Sequence, residues 1–152
     1  MKNKLFVIVT LLIAVAGFAV FKLLYQSSIP EAPRADAADL VREHSPALGP
    51  ADAPVQIVEF LDPEREACRA MEPVIKGLVK QFEGRVRLVV RYMPFHGSSV
   101  LAAASLEEAR EKGKYWEGLA NLFHRQPEWG DHHQPRPELI AKILAELGVK
   151  PE

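Results

Sequence analysis

Thiol chemistry in this chain has to run through one residue. Cys68 is the single cysteine in 152 residues, and it follows Asp62-Pro63-Glu64-Arg65-Glu66-Ala67. A cysteine is a nucleophile only as its thiolate, so its surroundings decide what it does. Burial among apolar groups raises its pKa, whereas the guanidinium of Arg65 lowers it if it reaches the sulfur. A lone thiol forms no internal disulfide, which excludes disulfide-stapled scaffolds, and it excludes zinc sites built from several cysteines. The histidines are His44, His96, His124, His132 and His133. Asp131-His132-His133 reads as a solvated polar loop, because no second ligand cluster stands at a recognised spacing. No Gly-rich phosphate loop and no supported Ser-His-Asp spacing are present, so no cofactor and no metal are expected. Nineteen Lys and Arg against 20 Asp and Glu give a formal charge of -1, which offers nothing to nucleic acid.

The elements around Cys68 follow from hydrophobic period and turn chemistry. Pro54 to Leu61 reads PVQIVEFL, a largely buried strand. Asp62-Pro63-Glu64 then signals a helix start, with Asp62 as N-cap and Pro63 in the first position. On that reading Cys68 lies beyond the first turn, where the helix dipole fades. Met71, Val74, Ile75, Leu78, Val79 and Phe82 follow at helical spacing, and Glu83-Gly84 closes the helix. Val86 to Met93 is a second strand, ended by Pro94. Strand, helix and strand in this order make a βαβ unit with parallel strands. Helices are expected from Ser98 or Ser99 to Lys112, around Tyr115 to Phe123, and from Pro137 to Leu147. Gln126 to Arg136 reads as a loop. Tyr115, Trp116 and Trp129 are assigned to helix packing.

The first segment sets the compartment. Leu5 to Phe21 carries no charge, and Leu23, Leu24 and Tyr25 continue it past Lys22. A spanning helix needs about 20 apolar residues, and this run reaches that length if Lys22 snorkels. Lys2 and Lys4 precede it, which puts the N-terminus in the cytoplasm and the rest outside. We read residues 1–25 as an uncleaved transmembrane anchor, in contact with the membrane through residues 5–24; a cleaved signal peptide is the alternative. Residues 26–39, rich in Ser, Pro, Ala and charge, read as a linker. Residues 40–152 are the globular part.

The segment VEFLDPEREACRAMEPVIK, residues 58 to 76, resembles the membrane-anchored, DsbA-like branch of the thioredoxin superfamily. HSPALGPADAPVQIVEF before it and VRLVVRYMPFHGSS after it match as well, as do AAASLEEAREKGKYWEGLANLF and QPEW. The resemblance implies an α/β fold: a thioredoxin-like βαβ unit followed by a helical insertion, with thiol–disulfide exchange on secreted proteins as the activity. Thiol-containing secreted proteins or a redox partner are the implied partners. In such families the first strand runs into Cys-x-x-Cys at a helix start, where the first cysteine attacks and the second resolves. Here Arg65 occupies the first position, and Cys68 matches the resolving cysteine. Glu59 matches the family's acid beneath the active site, where a buried carboxylate assists proton transfer. The family's closing β-hairpin, final helix and cis-proline loop have no counterpart before Glu152. The expectation is therefore a partial domain of marginal stability with an exposed sheet edge, redox-impaired or monothiol, with a non-catalytic binding module or an inactive remnant as alternatives.

Overall fold

The computed structural model describes residues 2–28, 37–131 and 133–149, in two compact units that divide after Ala35. The first is one helix, α1 (Lys2–Ser28). Its stretch Lys4–Tyr25 is long and apolar enough to cross a membrane. A hydroxyl within it, Thr10 Oγ1, donates to the Phe6 carbonyl at 2.6 Å, so the helix satisfies it internally.

The second unit opens with a short helix, α2 (Ala37–Leu40), which begins inside the stretch read as linker. Three strands follow in the chain: β1 (Ala47–Leu48), β2 (Val55–Leu61) and β3 (Val86–Tyr92). Between β2 and β3 runs α3 (Glu66–Gln81). β2 and β3 pair in parallel from Val55↔Val86 to Leu61↔Tyr92, as the βαβ reading requires. β1 is an addition to that reading. It pairs antiparallel with β3 through Ala47↔Val89 and Leu48↔Leu88, giving the order β1-β3-β2. Two residues are too few for a periodicity signal. Gly49 lets β1 approach so closely, since a Cβ there would lie 2.5 Å from the Val86 carbonyl oxygen.

The insertion comprises α4 (Ser99–Glu111), α5 (Tyr115–His124), α6 (Gln126–Trp129) and α7 (Glu138–Ala145). Its core joins Leu106, Leu119, Leu122, Phe123, Trp129 and Ile143 to Leu61 and Val90 of the sheet. Fully burying a side chain of this size contributes about 1.5–3 kcal/mol. Tyr115 and Trp129 are buried and Trp116 packs against the cluster, as expected. The loop reading of Gln126 to Arg136 is corrected: QPEW forms one helical turn. Pro127 lacks the N–H that a first turn leaves unused, and Trp129 Nε1 donates to the Leu122 carbonyl at 2.9 Å.

Candidate functional site

The turn that joins β2 to α3 departs from the expected cap. Asp62 is not the N-cap and Pro63 is not the first helical residue. Arg65 is the N-cap, with φ -81 and ψ 124, and the helix starts at Glu66. The reason is that the Asp62 carboxylate is engaged elsewhere. Its Oδ1 accepts the Glu64 N–H at 3.0 Å, a side-chain turn that holds Pro63 and Glu64 out of the helix. The later start moves Cys68 as well. It is the third residue of α3, within the first turn rather than beyond it.

Asp62 is 2% exposed and ties two distant segments together. Its Oδ2 accepts the Phe95 N–H at 2.8 Å and lies 2.7 Å from His96 Nδ1, while Ser99 Oγ donates to Oδ1. Burial alone raises this carboxyl, but the hydrogen bonds from Ser99, Phe95, Glu64 and His96 outweigh it and hold the group below its usual range. An ionised Asp62 can only accept, so the His96 proton sits on Nδ1. Glu64, 3% exposed, accepts the Ser98 N–H at 2.7 Å. Gln126 Nε2 donates to the Pro63 carbonyl at 2.9 Å, which fixes the turn to α6. These long-range partners stand 33 to 63 residues apart in sequence. No local pattern announced them, and His96 carried no assigned role.

Cys68 is a free, half-buried thiol that packs against the core of the insertion. Burial pushes its pKa up. A backbone hydrogen bond at Asp62 and the charge of Arg65 oppose this, while the carboxylates of Glu59 and Asp62 add to it. Arg65 itself is exposed. Glu59 shares a face of β2 with Leu61, the side toward the insertion core, and is half-buried. Burial, then the charge of Glu72, raise its pKa. The three predicted residues thus fall in one electrostatic neighbourhood, with the thiol held protonated at neutral pH.

His133 is exposed, and its N–H donates to Asp131 Oδ1 at 2.7 Å in a turn; His132 lies outside the described residues. No group of metal-ligating side chains occurs among the described residues. A polar depression of about 230 Å³ borders the start of α3, between Glu66, Arg69, Gln126 and Gly130. A larger cavity, about 730 Å³, lies at the other end of that helix, against Leu48, Pro50, Val79 and Val86.

A family model described as thioredoxin matches residues 42–147. The chain belongs to the thioredoxin family. Among curated proteins it is 35% identical over 104 residues to the Na(+)/H(+) antiporter NhaA of Herminiimonas arsenicoxydans, covering 68% of this chain and 16% of that one. It is 31% identical over 114 residues to disulfide bond formation protein D of Bacillus subtilis, covering 70% of this chain and 51% of that one. A thioredoxin-like oxidoreductase from Silicibacter pomeroyi superposes with a TM-score of 0.63 at 30% identity, over 76% of this chain and 64% of that one. Alpha-DsbA1 of Wolbachia pipientis shares the fold, with a TM-score of 0.64 at 17% identity over 73% of this chain and 57% of that one. The fold is thioredoxin-like with a helical insertion, of the DsbA-like kind. The chain spans a sixth to a half of these curated relatives' length.

Proposed function

We propose that the chain is a DsbA-like thiol–disulfide exchange domain tethered to the cytoplasmic membrane by α1, its globular part facing the periplasm or exterior. Arg65, where the attacking thiol belongs, impairs it. The position of Cys68 carries this reading: it is the third residue of the helix leaving β2, in the electrostatic neighbourhood of Glu59. The lysines before the apolar run support the orientation.

The chemistry open to such a site is monothiol exchange. The Cys68 thiolate attacks one sulfur of a disulfide in a secreted protein. The S–S bond of that protein breaks, a mixed disulfide forms at Cys68, and the second sulfur leaves as a thiolate. No second thiol in the chain can resolve the product. An external thiol must attack the mixed disulfide, releasing Cys68 and forming a disulfide with the bound sulfur. The first step is slow because the raised pKa keeps the nucleophilic form scarce. The same protonated thiol favours a second reading, a membrane-tethered binding module without turnover.

Replacing Arg65→Cys in the full chain separates the two. The expected result is catalytic reduction of a small disulfide by the dithiol form, or oxidation of a small dithiol by the disulfide form, where the natural chain reacts at most once per thiol and slowly. A folded Arg65→Cys protein that stays inert overturns the exchange reading. For the natural chain, the reaction of Cys68 with a chromogenic disulfide should accelerate only above neutral pH. A rate already maximal below pH 7 contradicts the impaired thiol.

A further inference from the structure

Asp62 is shut away from water, but one of its partners is not. The Asp62 side chain is 2% exposed and that of His96 24%. His96 Nδ1 lies 2.7 Å from Oδ2, the oxygen that also takes the Phe95 N–H. The other oxygen holds the Glu64 N–H and the Ser99 hydroxyl. Three of these four partners stay neutral at every ordinary pH. The fourth is an imidazole, the side chain type whose charge changes between about pH 5 and 8. Asp62 is also the residue around which the start of α3 is folded. Its carbonyl accepts the Arg65 N–H at 3.1 Å and its carboxylate the Glu64 N–H, which sets the turn that leads to Cys68. The charge of Asp62 disfavours the Cys68 thiolate, whereas its own N–H favours it.

We propose that His96 is a positioning residue for the Cys68 thiol, on which it acts through Asp62. A proton taken up by the imidazole leaves Nδ1–H on Oδ2 and sets a positive charge beside a carboxylate that is already ionised. That charge opposes the field of Asp62 at the sulfur, so the thiolate forms more easily. As pH rises and His96 loses its charge, Asp62 again acts unopposed. The thiolate is therefore less scarce in mild acid than burial alone would leave it. This deepens the exchange reading and rests on it for its use, since it sets how the attack by Cys68 depends on pH. The other charged groups facing the pair are Glu64 of the same turn and, around the sulfur, Glu59 of β2 and Arg65 at the start of α3. Glu59 acts on the thiol in the same sense as it ionises, so the rate measurement removes it.

The test uses the full chain in detergent and requires no turnover. Cys68 is alkylated with iodoacetate in one sample and with iodoacetamide in another; in both the sulfur displaces iodide. The two adducts are alike in size and differ by one negative charge at the sulfur. Coupling between two sites is reciprocal, so that charge should be felt at the ring. By NMR, with the ring assigned through its neighbours in sequence, His96 should titrate about half a pH unit higher in the carboxylate adduct, which corresponds to about threefold in thiolate at fixed pH. Equal titration in the two adducts overturns the proposal, and this arm needs no substitution. The second arm is the rate of alkylation by iodoacetamide in a Glu59→Gln background. Between pH 5 and 8 the logarithm of the rate should climb with a slope below one while His96 is present. In His96→Asn, whose amide N–H keeps the bond to Oδ2, the slope should be one, and the two profiles should meet above pH 8. Parallel profiles, with His96→Asn slower by one factor throughout, would show a merely structural histidine and overturn the proposal. An inert Arg65→Cys protein leaves both readouts unchanged, and uncoupled readouts leave the exchange reading standing.

Discussion

Helices α3 and α5 look alike in sequence and live differently in the structure. Each carries apolar side chains at helical spacing with charges on the other side. α5 buries Tyr115, Leu119, Leu122 and Phe123 against its neighbours, whereas α3 buries none of its residues fully. Periodicity states which side of a helix is apolar; whether that side is covered depends on what the rest of the fold brings to it. The insertion is therefore the better packed half of the unit, and the βαβ half, which carries the thiol, leans on it through buried carboxylates as well as through the apolar contacts of Leu61 and Val90. Stability and chemistry are housed in different halves, and mutations should reveal the division.

The largest effect is expected in the insertion. Trp129 is fully buried and its indole N–H is spent on Leu122. Trp129→Ala should cost about 3–5 kcal/mol, against less than about 0.5 kcal/mol for Val74→Ala on the open side of α3. Denaturant unfolding of the two variants measures the contrast. Equal losses would mean that the apolar side of α3 is covered in solution.

Next comes the link between the halves. Asp62→Ala removes the shared acceptor of the Glu64 and Phe95 N–H groups, the Ser99 hydroxyl and His96. The expected loss is about 2–3 kcal/mol, the usual consequence of unmaking bonds to a buried charge. The pH dependence follows from the direction of the shift. The folded-state pKa lies below the usual value, so the stabilisation is complete above that value and is lost as pH falls through the folded one. The gap between natural and Asp62→Ala chains should hold at neutral pH and close only in strong acid. A gap that closes already between neutral pH and the ordinary carboxylate range would contradict a lowered Asp62.

The two halves were unequally legible in the sequence. The strands were plain because Val55–Leu61 and Val86–Tyr92 are dense in β-formers and end at proline or glycine. Helices α4, α5 and α7 of the insertion were readable to within a few residues from Gly113, Gly148 and their apolar stripes, whereas α6 was read as loop. Cys68, Arg65 and Glu59 were singled out from the resemblance carried by residues 58 to 76. What escaped was everything that depends on contact across the chain. Asp62 had the residue type of a cap, and local logic had no means of knowing that Phe95, His96 and Ser99 would take its carboxylate. The helix start shifted with it, and with that shift the turn on which Cys68 sits. The exposure of α3 escaped for the same reason, since a stripe of Met71, Val74 and Leu78 has the same spelling whether covered or bare.

The smallest effect concerns the thiol itself. Glu59 is held partly buried, with burial and then the charge of Glu72 raising its pKa above the ordinary 4.5. A raised carboxyl is destabilising once it is ionised, so its cost appears as pH rises through the unfolded and then the folded value. Glu59→Gln removes that cost. It should stabilise the chain at neutral pH by less than about 1 kcal/mol and change nothing below about pH 4. It also removes a negative charge that disfavours the Cys68 thiolate. Alkylation of Cys68 by iodoacetamide at fixed pH, followed by mass spectrometry, should therefore quicken by a small factor in Glu59→Gln. A thiol that reacts more slowly in this variant would reverse the assignment, making Glu59 the acceptor of the Cys68 proton rather than a brake on its loss.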